Sequence, residues 1–260
     1  MTTLKTVRSH RVYEALGVTD LASQGIRPGG LNLTSRALDL AGLPERSRIF
    51  DLGCGTGVTA ELMGAKYKYH SVGVDCSDTL LRYGKSKRMV TQFVRGRADN
   101  LPFPNKSADG IIAECSLSVM GYSGSLLNEL CRVLMFNGKL VVTDVYARNE
   151  TSERSWEKIP MDCCLKGAIS RERIFRKMKL SSFEIDVWED HSDALKEFAV
   201  RIILSYGSMD KFWGQMSDGM LRASEIGDMI SMVKPGYYLM VAHKSQFRFN
   251  DTYVGGGKHG

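Results

Sequence analysis

The stretch Ile49–Leu62, IFDLGCGTGVTAEL, decides the fold. An apolar run beginning at Arg48 stops at an acid, Asp51. Three glycines at alternate positions, Gly53, Gly55 and Gly57, then precede the helix-forming TGVTAELMGAK. Strand, tight turn and helix follow from that order, because glycine adopts the left-handed backbone conformations a tight turn needs and lets a ligand approach the main chain.

The same rhythm continues on both sides. HSVGVD reads as a second strand, and SDTLLRYGKSKRM as a helix with Ser77 as its N-cap. QFVRGRA and DGIIAEC are the third and fourth strands, separated by the Pro-punctuated loop LPFPNKS. GSLLNELCRVLMFNG reads as a helix that stops at Gly138, a favoured C′ residue, and KLVVTDVYA as the fifth strand. Repeated strand–helix units predict a parallel sheet covered by helices on both faces. Beyond Arg148 the rhythm changes. SRERIFRKMKL is a helix, FEIDVWED a sixth strand, SDALKEFAVRIILSYG an amphipathic helix, and GYYLMVAHK the last strand. The expected organisation is a helical cap over residues 1–45, a ligand-binding core over 46–148, a sheet completion over 149–245, and a flexible tail over 246–260. Residues 149–182 and 191–235 read as helical lid insertions within the same domain.

Two ligand types sit on such a glycine turn. A dinucleotide needs GxGxxG, with a pyrophosphate on the helix N-terminus. Here Val58 takes the place of that third glycine, and the Asp51 carboxylate would repel a pyrophosphate. S-adenosyl-L-methionine carries an α-ammonium, a sulfonium and no phosphate, so an acid beside the loop suits it. Asp75 ends the second strand in GVDCS, where a carboxylate accepts from ribose hydroxyls. Asp99 follows the third in RADNLPF, where one accepts from the adenine amine. All three acids fall at the carboxyl edge of the sheet, where open α/β folds bind ligands.

DLGCGTG, GVDCS, ADNLPFP, AECSLSVM and ELCRVLMFNGKLVVTDVYAR, taken in order, resemble the successive motifs of class I SAM-dependent methyltransferases, nearest to the ubiquinone/menaquinone-type small-molecule group. The resemblance spans about Leu31 to Asp190; FNG stands where that family has PGG. It implies a Rossmann-like, doubly wound sheet of seven strands, mostly parallel, with GYYLMVAHK as the antiparallel one beside the sixth. It further implies that Gly53, Cys54, Gly55, Thr56 and Gly57 wrap the cofactor, with Asp51 towards its amino group. Asp75 would bind the ribose with Cys76 flanking it, and Ala98 and Asp99 would hold the adenine. Glu114, Cys115 and Ser116 would face the methionine moiety and the substrate. The product would be S-adenosylhomocysteine (SAH).

Other residues are candidates on position. Arg27, in IRPGGLNLT, is placed to bind a carboxylate of cofactor or substrate, and Tyr146 and Arg148 leave the fifth strand towards the substrate side. His243 lies within a strand and reads as a packed histidine; His191 is set aside as a base, so no catalytic residue is named. The apolar stripe Leu195, Phe198, Ala199, Ile202 and Ile203 reads as a core-facing helix face.

Composition narrows the function classes. The chain has 260 residues, 43% apolar and 25% charged, with a net charge of +6, ordinary for a globular protein. No apolar run reaches the roughly 18 residues of a membrane span, and MTTLKTVRSH lacks the apolar core of a signal peptide. A cytoplasmic protein without a membrane partner is expected. The six cysteines fit neither a zinc ribbon nor a disulfide framework, so no metal is expected. Cys163 and Cys164, with Cys76 or Cys115, leave open a thiol-held metalloid substrate. DNA is excluded as a partner by the absence of the amino-methylating signature after the fourth strand and of a Pro-Cys nucleophile. A tRNA substrate and a non-catalytic SAM-binding role stay open, and a small-molecule acceptor is the leading expectation.

Overall fold

The computed structural model describes residues 13–14, 27–87, 92–149, 163–216, 227–228, 230 and 232–246. Most of the expected N-terminal cap, the 150–162 stretch and the tail beyond 246 lie outside the described residues.

The first described helix, α1 (Gly30–Ala41), runs into β1 (Arg48–Leu52) and α2 (Val58–Tyr67). Then come β2 (His70–Asp75), α3 (Asp78–Lys87), β3 (Gln92–Arg95), β4 (Ala108–Glu114), the one-turn α4 (Leu117–Met120), α5 (Gly124–Val133) and β5 (Leu134–Ala147). A 3₁₀ turn (Cys164–Gly167) leads to α6 (Arg171–Leu180), β6 (Phe183–Asp190), α7 (Ser192–Tyr206), α8 (Met209–Met216) and β7 (Pro235–Lys244). The seven strands form one sheet in the order β3-β2-β1-β4-β5-β7-β6. β7 runs antiparallel to both neighbours, pairing Val141 with Val241 and Ala242 with Ile185. The other described pairings are parallel. This is the doubly wound, Rossmann-like sheet that the motif order implied, with the antiparallel strand between the fifth and the sixth.

Period-2 alternation divides the strands between two cores. Ile49, Ile112, Val141, Tyr237 and Val241 face the layer of α1, α2 and α7, where Leu38, Met63 and Ile202 meet them. Phe50, Ile111, Val142, Tyr238 and Met240 face the layer of α5 and α6, where Leu126, Leu130, Ile174 and Met178 fill in. Parallel strands buried on both faces therefore need continuous apolar runs, as RIFDL is. Ser77 caps α3 as expected, accepting the Leu80 amide at 3.2 Å.

Three expectations change. Helix α5 ends at Val133 rather than at Gly138. The amides of Lys106 and Ser107 take the Arg132 and Val133 carbonyls at 2.9 and 2.7 Å, which supplies the donors another helical turn would have offered. Leu134 turns extended and pairs with Ala108. Gly138 serves close approach instead of capping: a Cβ there would lie 2.9 Å from the Met135 carbonyl oxygen and 3.2 Å from that of Asp109. Second, α6 is no lid. Ile174 and Met178 are fully buried beneath it, so the second half of the expected 149–182 insertion is a sheet-covering helix. Third, the stripe on α7 is narrower than expected. Ile202 is buried and Leu195 and Phe198 pack beside it, but Ile203 is 40% exposed. No helix among the described residues is long and apolar enough to cross a membrane.

Candidate functional site

The glycine loop stands at the carboxyl end of β1, and its conformation explains its sequence. Gly53, Gly55 and Gly57 all take positive φ (70°, 55° and 81°), a region costly for any residue with a Cβ. Gly53 and Cys54 both donate to the Val74 carbonyl, at 2.8 and 3.2 Å, and Gly57 donates to Cys54 at 2.8 Å. The glycines have different duties. A Cβ on Gly53 would come within 2.8 Å of the Ser116 Cβ, so this glycine lets β1 and β4 close together. A Cβ on Gly55 would meet no atom of the described residues within 4 Å, so its Cα faces open space. Cys54 turns beneath the loop against Gly73, and burial drives its thiol pKa well upward; it offers a ligand backbone rather than sulfur. Thr56 is buried at the start of α2.

Asp75 fastens the loop from the next strand, its Oδ2 accepting the Gly55 amide at 2.9 Å and its Oδ1 the Ser77 amide at 2.8 Å. The Cys76 thiol bonds the same carboxylate, which still keeps lone-pair capacity for a further donor. Cys76 beside it is exposed, and desolvation plus the Asp75 charge push its thiol up to about 11. Asp99 lies beyond β3, clasped by Arg97 through bonds of 2.9 and 2.7 Å, which hold its carboxyl below the ordinary range. Ala98 packs on the core beside it.

The centre of the site is a buried charge cluster over β1 and β4. Asp51 is 2% exposed. Burial, with the Glu114 charge adding to it and Arg27 opposing, pushes its carboxyl up to about 8. Its Oδ2 finds no hydrogen-bond partner among the described residues, and neither does Arg27 Nε. Arg27 is itself buried. Its Nη2 reaches Thr34 Oγ1 and Thr59 Oγ1 at 2.7 Å each and Glu114 Oε2 at 3.0 Å. Thr34 and Thr59 pass those contacts on to Glu114 at 2.8 and 2.6 Å. The two threonines were not singled out in the sequence. Their signal was available: a polar residue on the buried stripe of α1, and another on the first turn after the glycine loop.

The β4 end continues the site. Cys115 adopts φ 49° and its Sγ lies 3.2 Å from the Tyr237 hydroxyl, which donates to Thr143 at 3.1 Å. Burial pushes the Cys115 thiol upward. Ser116 Oγ donates to the Leu52 carbonyl at 2.9 Å and so ties β4 to β1. Asp144, an acid inside the apolar strand β5, accepts Ser118 N, Ser118 Oγ and Val145 N at 2.9, 2.6 and 2.8 Å. It thereby fixes the turn into α4, and burial lifts its carboxyl to about 6 against those bonds.

Residues 13 and 14 reach over this edge: Ser77 Oγ donates to Glu14 at 2.6 Å and Cys164 N donates to the Tyr13 hydroxyl at 3.0 Å. Cys163 is buried, and Cys164 is close enough to Cys115 for each charge to disfavour the other. Among the described residues no group of three or more Cys, His, Asp or Glu is gathered to hold a metal.

Two candidates sit elsewhere. Tyr146 is buried between Trp188 and Tyr238, and its hydroxyl is held by Asp190 at 2.7 Å. It belongs to the α6-side core, not to the β4 end. Arg148 binds the Lys234 carbonyl at 3.2 Å and lines a polar cleft of about 410 Å³ with Asp190, His191 and Lys196, towards the β6 edge. His191 pairs with Glu189 at 2.9 Å and His243 with Asp186 at 2.7 Å, both in surface ion clusters.

Known proteins are similar to this chain in sequence and in fold. A family model described as a methyltransferase domain matches residues 50–142. A fatty-acid O-methyltransferase of Mycolicibacterium smegmatis is 24% identical over 178 residues, 67% of this chain and 64% of that protein. A demethylmenaquinone methyltransferase of Renibacterium salmoninarum is 32% identical over 107 residues, 41% of this chain and 45% of that one. The chain thus spans less than two thirds of either curated relative. The structure of Haemonchus contortus phosphoethanolamine N-methyltransferase 2 in complex with S-adenosyl-L-methionine superposes with a TM-score of 0.67 at 20% identity, over 91% of this chain and 56% of that one. With its glycine loop, the acids at its strand ends and this sheet order, the chain is similar to class I SAM-dependent methyltransferases, and its residues 50–142 match a methyltransferase domain.

Proposed function

We propose that this protein transfers the methyl group of SAM to a small-molecule acceptor. One observation carries the proposal: two buried, unpartnered polar atoms lie in one cluster, an acceptor on Asp51 and a donor on Arg27. Buried polar atoms without partners are rare and call for a ligand. An α-amino acid end, with an ammonium for Asp51 Oδ2 and a carboxylate for Arg27 Nε, satisfies both at once. The open face of Gly55 next to them suits a ligand that touches backbone, and Asp75 retains acceptor capacity for ribose hydroxyls.

The residues present therefore fit SAM. Asp51 and Arg27 would hold its amino acid end, the Gly53–Gly57 backbone its middle, and Asp75 its ribose. Asp99 would reach the adenine only by sharing its carboxylate with Arg97. When bound, the cofactor supplies an electrophilic methyl on a sulfonium, with a neutral thioether as leaving group. The protein's own part is to align the acceptor and keep water out. Cys115, Tyr237 and Cys164 form an apolar-walled neighbourhood beyond Glu114 suited to a small, largely apolar acceptor. The named acceptors of the two curated relatives, a fatty acid and demethylmenaquinone, are of that kind. α7 and residues 13–14 would form the cover.

Incubation with methyl-labelled SAM and a panel of fatty acids, quinols and small amines tests the proposal. Transfer of label to a small molecule is the expected result. Tight SAH binding with no transfer to any acceptor would make the protein a SAM-binding module instead.

A further inference from the structure

Glu114 ends β4, where family resemblance would have it face the methionine moiety of the cofactor. Its bonding argues for a different role. An ionised carboxylate has about four lone-pair directions. At Glu114 all four have claimants: Thr34 Oγ1 at 2.8 Å and Thr143 Oγ1 at 3.5 Å on Oε1, Thr59 Oγ1 at 2.6 Å and Arg27 Nη2 at 3.0 Å on Oε2. The side chain is only 5% exposed. Its lone pairs are thus largely taken up by the protein's own donors.

Arg27 is the reverse case. Its Nη2 lies within bonding distance of Glu114 and of the Thr34 and Thr59 hydroxyls, which themselves reach Glu114. Its Nε, on the same edge of the guanidinium as Nη2, is buried and unpartnered among the described residues. A guanidinium is rigid and planar, so fixing one end fixes where the remaining N–H points. The segments so joined are distant in sequence: residue 27, α1, α2 and β4. Such a clamp holds the arginine in place before any ligand arrives, and preorganisation of this kind raises affinity by reducing the ordering needed on binding.

We infer that Glu114 is a positioning residue: with Thr34 and Thr59 it holds Arg27 so that Nε receives the carboxylate of the cofactor's amino acid end, and Glu114 itself does not touch the cofactor. This rests on the SAM reading above. It makes selectivity for the amino acid end a property of residues that never contact it.

The test compares two ligands in Glu114→Gln. SAH carries the amino acid end; 5′-methylthioadenosine has the same adenosine thioether without it. Gln keeps the shape but removes the charge, and in either orientation its NH2 must face one of the two donor sets, Thr34 with Thr143 or Thr59 with Arg27, so the clamp is weakened. Calorimetric titration should show SAH affinity reduced about ten- to a hundredfold, the range for a lost charge-assisted bond, and 5′-methylthioadenosine affinity within about twofold of wild type. Arg27→Gln should give the same pattern, and the double variant little further loss, because the two act as one unit. Thr59→Val removes one link only and serves where Glu114→Gln does not fold; a smaller loss confined to SAH is expected. Equal losses for both ligands would assign Glu114 a merely structural role, and unchanged SAH affinity would remove the clamp from binding; either overturns the inference. A wild-type protein that binds neither ligand overturns the SAM reading itself, an outcome distinct from both.

Discussion

A carboxyl group held at about 8 carries its proton through most of the neutral range. Asp51 is in that state because it is buried, lies beside Glu114, and is only partly relieved by Arg27. Folding therefore raises its pKa above the ordinary carboxylate value, and the folded protein holds a proton that the unfolded chain releases near pH ~4. The stability this contributes is complete below that value and is lost as pH rises through about 8. Asp144 has the same sign, but its window ends at about 6. Asp51 is therefore expected to lower the melting temperature of the ligand-free protein as pH rises between these two values. Asp51→Asn, which stays neutral, should flatten the melting temperature over that interval; a slope identical to wild type would show that Asp51 is ionised in the folded state. Part of this was legible in the sequence: an acid just before a glycine turn pointed to an ammonium. The rest was not. Arg27 meets Thr59 and Glu114 across separations that only the completed sheet makes short.

At the scale of single elements, the glycine loop separates two functions that its sequence presents as one. Gly53 and Gly55 both need positive φ, but only Gly53 is crowded by protein, at Ser116. Gly53→Ala should thus lower unfolding free energy by about 2–4 kcal/mol, from overpacking and left-handed strain together, measured by urea denaturation. Gly55→Val should cost about 1–2 kcal/mol from backbone strain alone while reducing SAH affinity by roughly tenfold or more through overlap with the ligand. If Gly55→Val binds SAH normally, the loop does not touch the cofactor. Strand positions were readable because segments such as HSVGVD and FEIDVWED, with β-branched or aromatic residues between polar ones, are bounded by turns, and both strands keep those bounds. The end of α5 was misread because its last carbonyls are satisfied by the chain at Lys106 and Ser107, which precedes the helix. A local pattern of glycine after an apolar run carries no record of such a partner.

Across the whole molecule, the two layers around the sheet have different parts to play. The α5 and α6 layer is closed: Ile174, Met178 and Leu130 are fully buried in it. The opposite layer holds the candidate site and the helices that reach towards it. α7 buries Ile202 while leaving Val200 and Leu204 55% and 80% exposed, whereas Ile174 and Met178 of α6 are fully buried. Segments of that kind open with lower free energy. Hydrogen exchange should accordingly show added protection on SAH binding in α7, in α8 and around Tyr13 and Glu14, and none in α6. Equal protection in α6 would mean general stabilisation rather than closure of a cover. This departs from a lid read along the sequence alone, where both segments flanking β6 looked alike because amphipathic helices give the same periodicity whether they cover a sheet or a ligand.

The central claim is that Asp51 receives the ammonium of the cofactor's amino acid end. A neutral carboxyl must give up its proton to do so, which makes proton release the most direct measurement. Titration calorimetry with SAH near pH ~6.5, repeated in buffers of different ionisation enthalpy, counts the protons that leave on binding. About one proton should be released per SAH bound, and none for 5′-methylthioadenosine, which lacks the ammonium. Release that is absent with SAH, or equal for the two ligands, would contradict the account.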